Sequence, residues 1–268
     1  MITASIAFGE RRCAYGRCLF TWFLCRRRFL TAYWAMYMKR LLIVGAAGDV
    51  GKGITAVAVE NGMQVIAAGR NEKKLQDLQS DHNEIAIVRG DLGTEAGAEQ
   101  LWASAVECYG GIDAVVISVN APIKGKALFS RSSDEVLALW QADVISHFVA
   151  AKTFIPKLAE DGIYIGIGGG MADFIMPTMG TGSMAQASLR NMYKMIVKEA
   201  VAPVANIREL MILSMVNGES RRDDALPTWI TDLDIGKHVC AIINHPECFP
   251  QPILQLKSRE QAGQPDQI

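Results

Sequence analysis

The chain has no excess of positive charge and no hydrophobic run long enough to cross a membrane. Its 268 residues carry a formal net charge of −1, and the charged residues are scattered. A basic surface of the kind that neutralises a phosphate backbone is therefore missing, which argues against a nucleic-acid partner. The longest uninterrupted apolar run, Cys18 to Cys25, has about eight residues, whereas a spanning helix needs roughly twenty. We expect no membrane association.

The chain also lacks the cysteine patterns of metal sites and disulfide frameworks. It has 6 cysteines, but no Cys-x-x-Cys pair and no histidine at ligand spacing from any of them. This pattern is typical of reduced thiols, and it predicts a cytoplasmic protein without a bound metal.

Residues 1 to 37 differ in composition from the rest of the chain. They contain Arg11, Arg12, Arg17, Arg26, Arg27 and Arg28 but only one acid, Glu10. So abrupt a charge shift marks a boundary. The apolar run ends in three arginines rather than in small residues, so it does not resemble a secretory signal. An Arg-rich leader of this kind can be an organelle-targeting peptide. We favour a second interpretation, in which Met38 is the natural start and the leader is an extension without a fold.

From Lys39 onward, short β-branched runs alternate with longer helical stretches. This alternation is typical of βαβ units and a parallel sheet. It predicts strands at Leu41 to Val44, Gln64 to Ala67, Glu84 to Val88, Ala114 to Ile117, Ile163 to Ile167, Glu209 to Leu213 and Ile253 to Leu256. It predicts helices near residues 50 to 61, 71 to 79, 95 to 108, 134 to 159, 184 to 201 and 234 to 243, with Asn71 and Ser133 as capping residues. The expected fold class is α/β: one doubly wound Rossmann domain over residues 38 to 258, with a mostly parallel seven-stranded sheet and a loose tail at 259 to 268.

The first strand runs directly into a glycine-rich turn and then into a helix. The turn reads Gly45-Ala-Ala-Gly48-Asp-Val-Gly51. Gly45 permits the tight bend, Gly48 lets backbone N–H groups approach a pyrophosphate, and Gly51 lets helix and strand pack closely. A strand, a glycine turn and a helix in this order predict a dinucleotide-binding site that includes Asp49 and Val50.

The second strand ends at Gly69-Arg70, where sites selective for NAD carry an acid that binds the ribose 2′-hydroxyl. Gly69 cannot repel a 2′-phosphate and Arg70 can pair with one, so the cofactor predicted is NADP(H). A solvated arginine at a helix start is the alternative. Asp91-Leu92 follows the third strand, and its carboxylate is placed either to accept from the adenine amino group or to serve as an ordinary turn residue.

Over residues 39 to 256 the sequence resembles the short-chain dehydrogenase/reductase family. The glycine turn, the stretch from Ala68 to Leu75 and Asp91-Leu92 are similar to that family's cofactor motifs, and Ile117 to Asn120 lies where the family has Asn-Asn-Ala-Gly. The resemblance implies that Asn120 contacts the cofactor. It also implies that the helices at 134 to 159 and 184 to 201 form the interface of a homo-oligomer. From its residues alone, the first of these helices is apolar around most of its circumference and is either an internal core helix or an interface.

The resemblance breaks down at the catalytic positions. The family's Ser, Tyr and Lys correspond to Gly169, Gly182 and Gln186, and no Tyr-x-x-x-Lys occurs anywhere in the chain. Asp143 stands where an Asn normally supports the proton relay. The sequence therefore assigns no catalytic residue.

Other side chains are candidates to replace the missing catalytic groups. Asp143 and His147 lie four residues apart and form either an acid/base pair or, as we favour, a backbone cap and a core histidine. Ser183 and Gln186 are either donors to a developing oxyanion or ordinary helix-start residues. Four methionines fit either an apolar substrate pocket or core packing: Met171, Met176, Met179 and Met184.

Two functions follow from this pattern. The first is an NADP(H)-dependent oxidoreductase that acts on an apolar carbonyl or enone by non-standard catalysis, and the cofactor turn supports it. The second is a non-catalytic NADP(H)-binding sensor or partner subunit, which the three missing catalytic side chains support.

Overall fold

The protein is described here from a computed structural model, which describes residues 38–121, 125–199 and 206–265. Predictions about residues 1 to 37, the last residues of the predicted helix 184 to 201, and residues 266 to 268 lie outside the described residues.

Strands and helices alternate along the described chain. The strands are β1 Arg40–Val44, β2 Gln64–Gly69, β3 Ala86–Arg89, β4 Ala114–Ile117, β5 Ile163–Gly169, β6 Asn206–Ile212, β7 Val216–Asn217, β8 Ile230–Thr231 and β9 Ile253–Leu256. The helices are α1 Asp49–Glu60, α2 Glu72–Asp81, α3 Glu95–Tyr109, α4 Ser133–Trp140, α5 Ser146–Phe154, α6 Gly180–Glu199 and α7 Asp232–Asn244. A π-helical turn, Gln141–Ile145, joins α4 to α5.

Seven of the strands form one parallel sheet in the order β3-β2-β1-β4-β5-β6-β9. The chain moves outward from β1 in one direction through β2 and β3, and then crosses to β4 on the other side. Strand order therefore reverses between β1 and β4, and in open α/β sheets ligands bind in the crevice at such a point.

Helices cover both faces of the sheet because successive residues of each strand point to opposite faces. Leu41 and Ile43 of β1 point into a cluster with α1, α2 and α7. Leu42 and Val44 point into a second cluster with α3, α5 and Tyr193 of α6. Strands buried on both faces read as continuous apolar runs, which is the pattern that identified them in the sequence. The predicted doubly wound single domain and its seven strands are confirmed.

The structure corrects the prediction for one long helix at 134 to 159. The cap is Ser132, whose hydroxyl accepts from the Glu135 backbone N–H at 3.2 Å, and not Ser133, which is already helical. The π-helical turn interrupts the helix, which ends at Phe154.

Part of the segment expected to be a loose tail contacts the domain, since Arg259 Nε donates to Asp234 Oδ2 at 2.9 Å. Within the described ranges, no helix is both long and apolar enough to cross a membrane.

Candidate functional site

A glycine turn closes the end of β1 against β4. Gly45 has a φ of 90°, and a Cβ atom there would lie 2.2 Å from the Ser118 carbonyl oxygen. A Cβ on Gly51 would lie 2.2 Å from the Gly45 carbonyl oxygen. Both positions therefore require glycine, one for its left-handed backbone and both for close approach. Gly48 precedes the first residue of α1, and no side chain caps that helix end.

The turn forms one wall of a cleft of about 350 Å³ at the carboxyl edge of the sheet. Of the predicted cofactor residues, Gly45, Gly48, Arg70, Asp91, Leu92 and Asn120 line it. One end is formed by Arg70, Asn71 and Lys74, and the other by Asn120 together with Ala142 and Ser146. The cleft thus joins loops that follow β1, β2, β3 and β4, as expected for a site at the reversal of strand order.

Three predicted cofactor residues are not among those that line the cleft. Gly51 is buried behind the turn, and Val50 packs against the core cluster of α1, α2 and α7. Asp49 points toward the segment that follows β6, where its carboxylate accepts from the Ser220 backbone N–H at 3.1 Å and from the Ser220 hydroxyl. Asp49 therefore ties that segment to the first turn of α1.

Among the cleft-lining residues that were not in the predicted site are Asn71, Lys74, Ala142 and Ser146. Lys74 had a usable signal, because it lies four residues after Arg70, in the first turn of the helix that follows it. Ala142 and Ser146 carry no comparable signal. They come from the π-helical turn and the start of α5, and only the tertiary fold brings them to the end of β4.

The inner end of the cleft rests on a polar network around Gln186 of α6. Gln186 Oε1 accepts from the Gly169 backbone N–H at 2.6 Å. Its Nε2 donates to Asn120 Oδ1 at 3.2 Å and to Asp143 Oδ2 at 3.3 Å. The amide group of Gln186 is therefore occupied on both sides, and the suggestion that Gln186 itself donates to a substrate oxyanion is wrong. Ser183 instead donates to the Phe174 carbonyl oxygen at 3.4 Å.

Asp143 is fully buried in this network. Burial raises the pKa of its carboxyl group from 3.8 to about 6, although the hydrogen bond from Gln186 acts in the opposite direction. Asp143 Oδ1 has no hydrogen-bond partner among the described residues. The group therefore changes its charge within the range of ordinary assay pH values.

His147 lies near Asp143 in sequence but bonds elsewhere. Its Nε2 lies 2.9 Å from the Val119 carbonyl oxygen and its Nδ1 lies 3.0 Å from the Tyr193 hydroxyl. A carbonyl only accepts, so Nε2 carries the proton and Nδ1 accepts from Tyr193. Burial lowers the pKa of His147 from 6.5 to about 4. His147 is a neutral core histidine with both nitrogens satisfied, and it forms no acid/base pair with Asp143.

The three positions that the resemblance aligns with catalytic residues lie on neighbouring elements. Gly169 ends β5, while Gly182 and Gln186 are buried in the first turns of α6. A Cβ on Gly169 would lie 3.5 Å from Gln186 Oε1, an ordinary contact distance. Of the four methionines considered for an apolar pocket, Met176 and Met184 are 49% and 43% exposed.

Comparison with known proteins decides the family. The family profile described as short chain dehydrogenase matches residues 39–201, which is more than half of the chain. The chain belongs to the short-chain dehydrogenase/reductase family. An uncharacterized oxidoreductase of Staphylococcus aureus (strain USA300) is 28% identical over 124 residues, which cover 46% of this chain and 53% of that relative. The match thus spans about half the length of such curated relatives.

Two further relatives support the same assignment. The uncharacterized oxidoreductase YvaG of Bacillus subtilis is 23% identical over 209 residues, covering 75% of each chain. The crystal structure of a short-chain dehydrogenase/reductase from Brucella melitensis, described as a glucose/ribitol dehydrogenase, superposes with a TM-score of 0.71. That superposition covers 81% of this chain and 94% of the other at 17% identity, so it shows the family fold and nothing finer.

Proposed function

We propose that this family member is an NADP(H)-dependent oxidoreductase that acts on an apolar carbonyl or enone without the family's usual catalytic side chains. The observation that carries the proposal is the cleft itself. At one end the cleft is lined by the cations Arg70 and Lys74, and β2 ends in Gly69 rather than in an acid. At the other end it is lined by Asn120, which belongs to the amide network around Gln186.

The preference for NADP(H) rests on Arg70 and Lys74. Both line the same end of the cleft, and neither forms an ion pair with any residue that the structure describes. Gly69 offers no carboxylate to repel a phosphate. Two unpaired cations on one side of a cleft bind a phosphate monoester through charge-assisted hydrogen bonds. We assign this end to the 2′-phosphate of the cofactor and the end at Asn120 to its nicotinamide half.

Fluorescence titration with NADPH and NADH tests this assignment. Removal of a hydrogen bond to a charged group costs about 1.5 to 3 kcal/mol, so Arg70→Ala should weaken NADPH binding by about tenfold to a hundredfold and leave NADH binding unchanged. Lys74→Ala should act in the same direction. Lys73→Ala is the matched control, since Lys73 is exposed on the same helix but does not line the cleft. Equal affinities of the wild type for the two cofactors would contradict the assignment.

The proposed substrate class follows from what the inner end of the cleft lacks. Bound NADPH supplies a hydride. Gly169, Gly182 and Gln186 provide no hydroxyl, phenol or ammonium group, so a saturated ketone receives no side-chain proton from them. General acid catalysis is worth about a hundredfold to ten-thousandfold in rate, or roughly 3 to 5.5 kcal/mol. An enone needs less of this help, because hydride addition to it gives an enolate whose negative charge is shared between oxygen and carbon, whereas a ketone gives an alkoxide with the whole charge on oxygen.

The second candidate function is a non-catalytic NADP(H)-binding sensor or partner subunit. The same three residues favour it, because a protein that only senses the cofactor needs no proton donor. The two candidates are separated by whether bound NADPH is consumed. Stoichiometric binding without oxidation of NADPH by any enone or ketone in a panel would favour the sensor.

We also propose that the protein forms a homo-oligomer through α5 and α6. An apolar hollow of about 420 Å³ lies between these helices, and Phe148 and Met195 on its walls are 46% and 53% exposed. An exposed apolar surface of this kind is typical of an interface. Sedimentation analysis of Phe148→Glu should show a shift toward the monomer. A wild type that sediments as a monomer at micromolar concentration would contradict the proposal.

A further inference from the structure

The side chains of Asn120, Gln186 and Asp143 form a hydrogen-bonded network. The backbone N–H of Gly169 fixes which of their atoms donate and which accept. The Gly169 backbone N–H points at the side-chain amide of Gln186, 2.6 Å away. A backbone N–H can only donate. The Gln186 atom that faces it must therefore be the oxygen, and Nε2 must face the other way.

The orientation of Gln186 in turn determines the orientation of the Asn120 side-chain amide. Gln186 Nε2 faces Asn120 at 3.2 Å and Asp143 at 3.3 Å. An NH₂ group carries two donors and no acceptor, so the Asn120 atom that faces it must be Oδ1. Asn120 Nδ2 is consequently directed away from Gln186. The orientation of an asparagine, which is otherwise open to a flip, is here determined by a backbone N–H two groups away.

Asn120 is the member of this chain that reaches the cleft. Asp143 and Gln186 are 0% and 3% exposed, whereas Asn120 is exposed and lines the cleft beside Val119 and Ser146. No residue that the structure describes accepts a hydrogen bond from Asn120 Nδ2. A donor in this position is available to an oxygen of a bound molecule.

We propose that Asn120 Nδ2 is the hydrogen-bond donor for the carbonyl oxygen of the substrate, with Gln186 and Asp143 as positioning residues. This assignment rests on the proposed function and names the group that replaces the missing phenol. Reduction by NADPH adds a hydride to a substrate carbon, the displaced electron pair moves to the carbonyl oxygen, and water supplies the proton that completes the product. Asn120 binds the oxygen most strongly while it carries that charge.

A binding measurement tests the assignment without turnover. The probe N,N-dimethylisobutyramide presents a carbonyl oxygen but no N–H group and cannot be reduced by NADPH, so its affinity for the NADPH complex reports the donor directly. Asn120→Asp keeps the shape of the side chain and removes both donors. We expect it to weaken binding of the probe at least about tenfold, as calorimetry would measure, and by a larger factor than it weakens NADPH binding. Asn83→Asp, the same change at an exposed position outside the cleft, should alter neither affinity.

A second variant removes the constraint on Asn120 without changing Asn120 itself. Gln186→Met keeps nearly the same side-chain length but has no N–H group to donate to Asn120 Oδ1. The orientation of Asn120 is then no longer fixed, and Nδ2 is no longer held toward the cleft. Probe affinity should fall, and retained NADPH binding shows in each case that the fold is intact. Asn120→Ala provides the same readout if either variant fails to fold.

Several results would overturn the assignment. These are an equal probe affinity in wild type and Asn120→Asp, no binding of the probe to the wild-type NADPH complex, or a loss of NADPH affinity as large as the loss of probe affinity. The last result would make Asn120 a ligand of the cofactor only. If NADPH does not bind at all, the proposed function fails and this assignment fails with it, whereas normal NADPH binding without Asn120-dependent probe binding removes the assignment alone.

Discussion

Glu209 of β6 should make the stability of the protein fall as the pH rises. Its side chain is 1% exposed, and neither carboxylate oxygen has a hydrogen-bond partner among the described residues. A Cβ on the neighbouring Gly168 would lie 2.1 Å from Glu209 Oε1, so the carboxyl group occupies the space that a side chain would fill. Burial raises the pKa of Glu209 from 4.5 to about 8, although Arg190 and Lys194 act to lower it and Asp173 acts to raise it further.

The raised pKa determines both the sign and the size of the effect. Between about pH 4.5 and pH 8 the folded protein keeps a proton on Glu209 that the unfolded chain has released. The folded state is therefore fully stabilised below pH 4.5 and loses that stability as the pH rises through this window. At about 1.4 kcal/mol per pH unit, the free energy of unfolding falls by roughly 5 kcal/mol across the window.

Glu209→Gln removes the titration and keeps the shape. Urea unfolding of both proteins from pH 4.5 to pH 9 should show similar stabilities at the acid end and a variant more stable by several kcal/mol at the alkaline end. The comparison cancels the contribution of Asp143, whose pKa is also raised and which titrates in both proteins. Glu60→Gln, the same change at an exposed position, is the matched control. A stability difference between wild type and Glu209→Gln that is constant with pH would refute the reasoning.

Three further predictions concern the cofactor turn and the core. Asp49→Asn removes a negative charge from the first turn of α1 and should raise NADPH affinity severalfold in a fluorescence titration; an unchanged or lower affinity would contradict this. Gly51→Ala forces a Cβ against the Gly45 carbonyl oxygen and should lower the melting temperature by many degrees, whereas Gly48→Ala, whose nearest atom is 3.4 Å away, should lower it much less. Tyr193→Phe leaves the His147 Nδ1 acceptor unsatisfied and should cost about 1 to 3 kcal/mol of stability without changing NADPH affinity.

The order of strands and helices was predictable because each parallel strand is buried on both faces. Strands β1 and β4 read as nearly continuous apolar runs, and Gly45 and Gly51 mark the turn because no other residue fits their contacts. Periodicity could not reveal the π-helical turn at Gln141–Ile145, since its residues are as apolar as those of the helices around it.

The inner part of the site was not predictable from local pattern. Asp49 was expected at the cofactor, but its carboxylate binds Ser220, which lies 171 residues away in the chain. The sequence placed Gln186 at a catalytic position without indicating where its donors point. Only the fold shows that the Gly169 N–H sets its orientation, because β5 and α6 meet through tertiary packing rather than through neighbouring residues.

Oxidation of NADPH in the presence of an enone and of its saturated ketone, such as 2-cyclohexen-1-one and cyclohexanone, separates reduction without a general acid from the family's usual chemistry. We expect the wild type to reduce the enone at least about a hundredfold faster than the ketone, because the cleft offers an oxygen-binding amide but no general acid. Ketone reduction on the order of 10 s⁻¹, a rate typical of enzymes with a full set of catalytic groups, would contradict it. Tight NADPH binding with no oxidation by either compound would also contradict it and would favour the sensor.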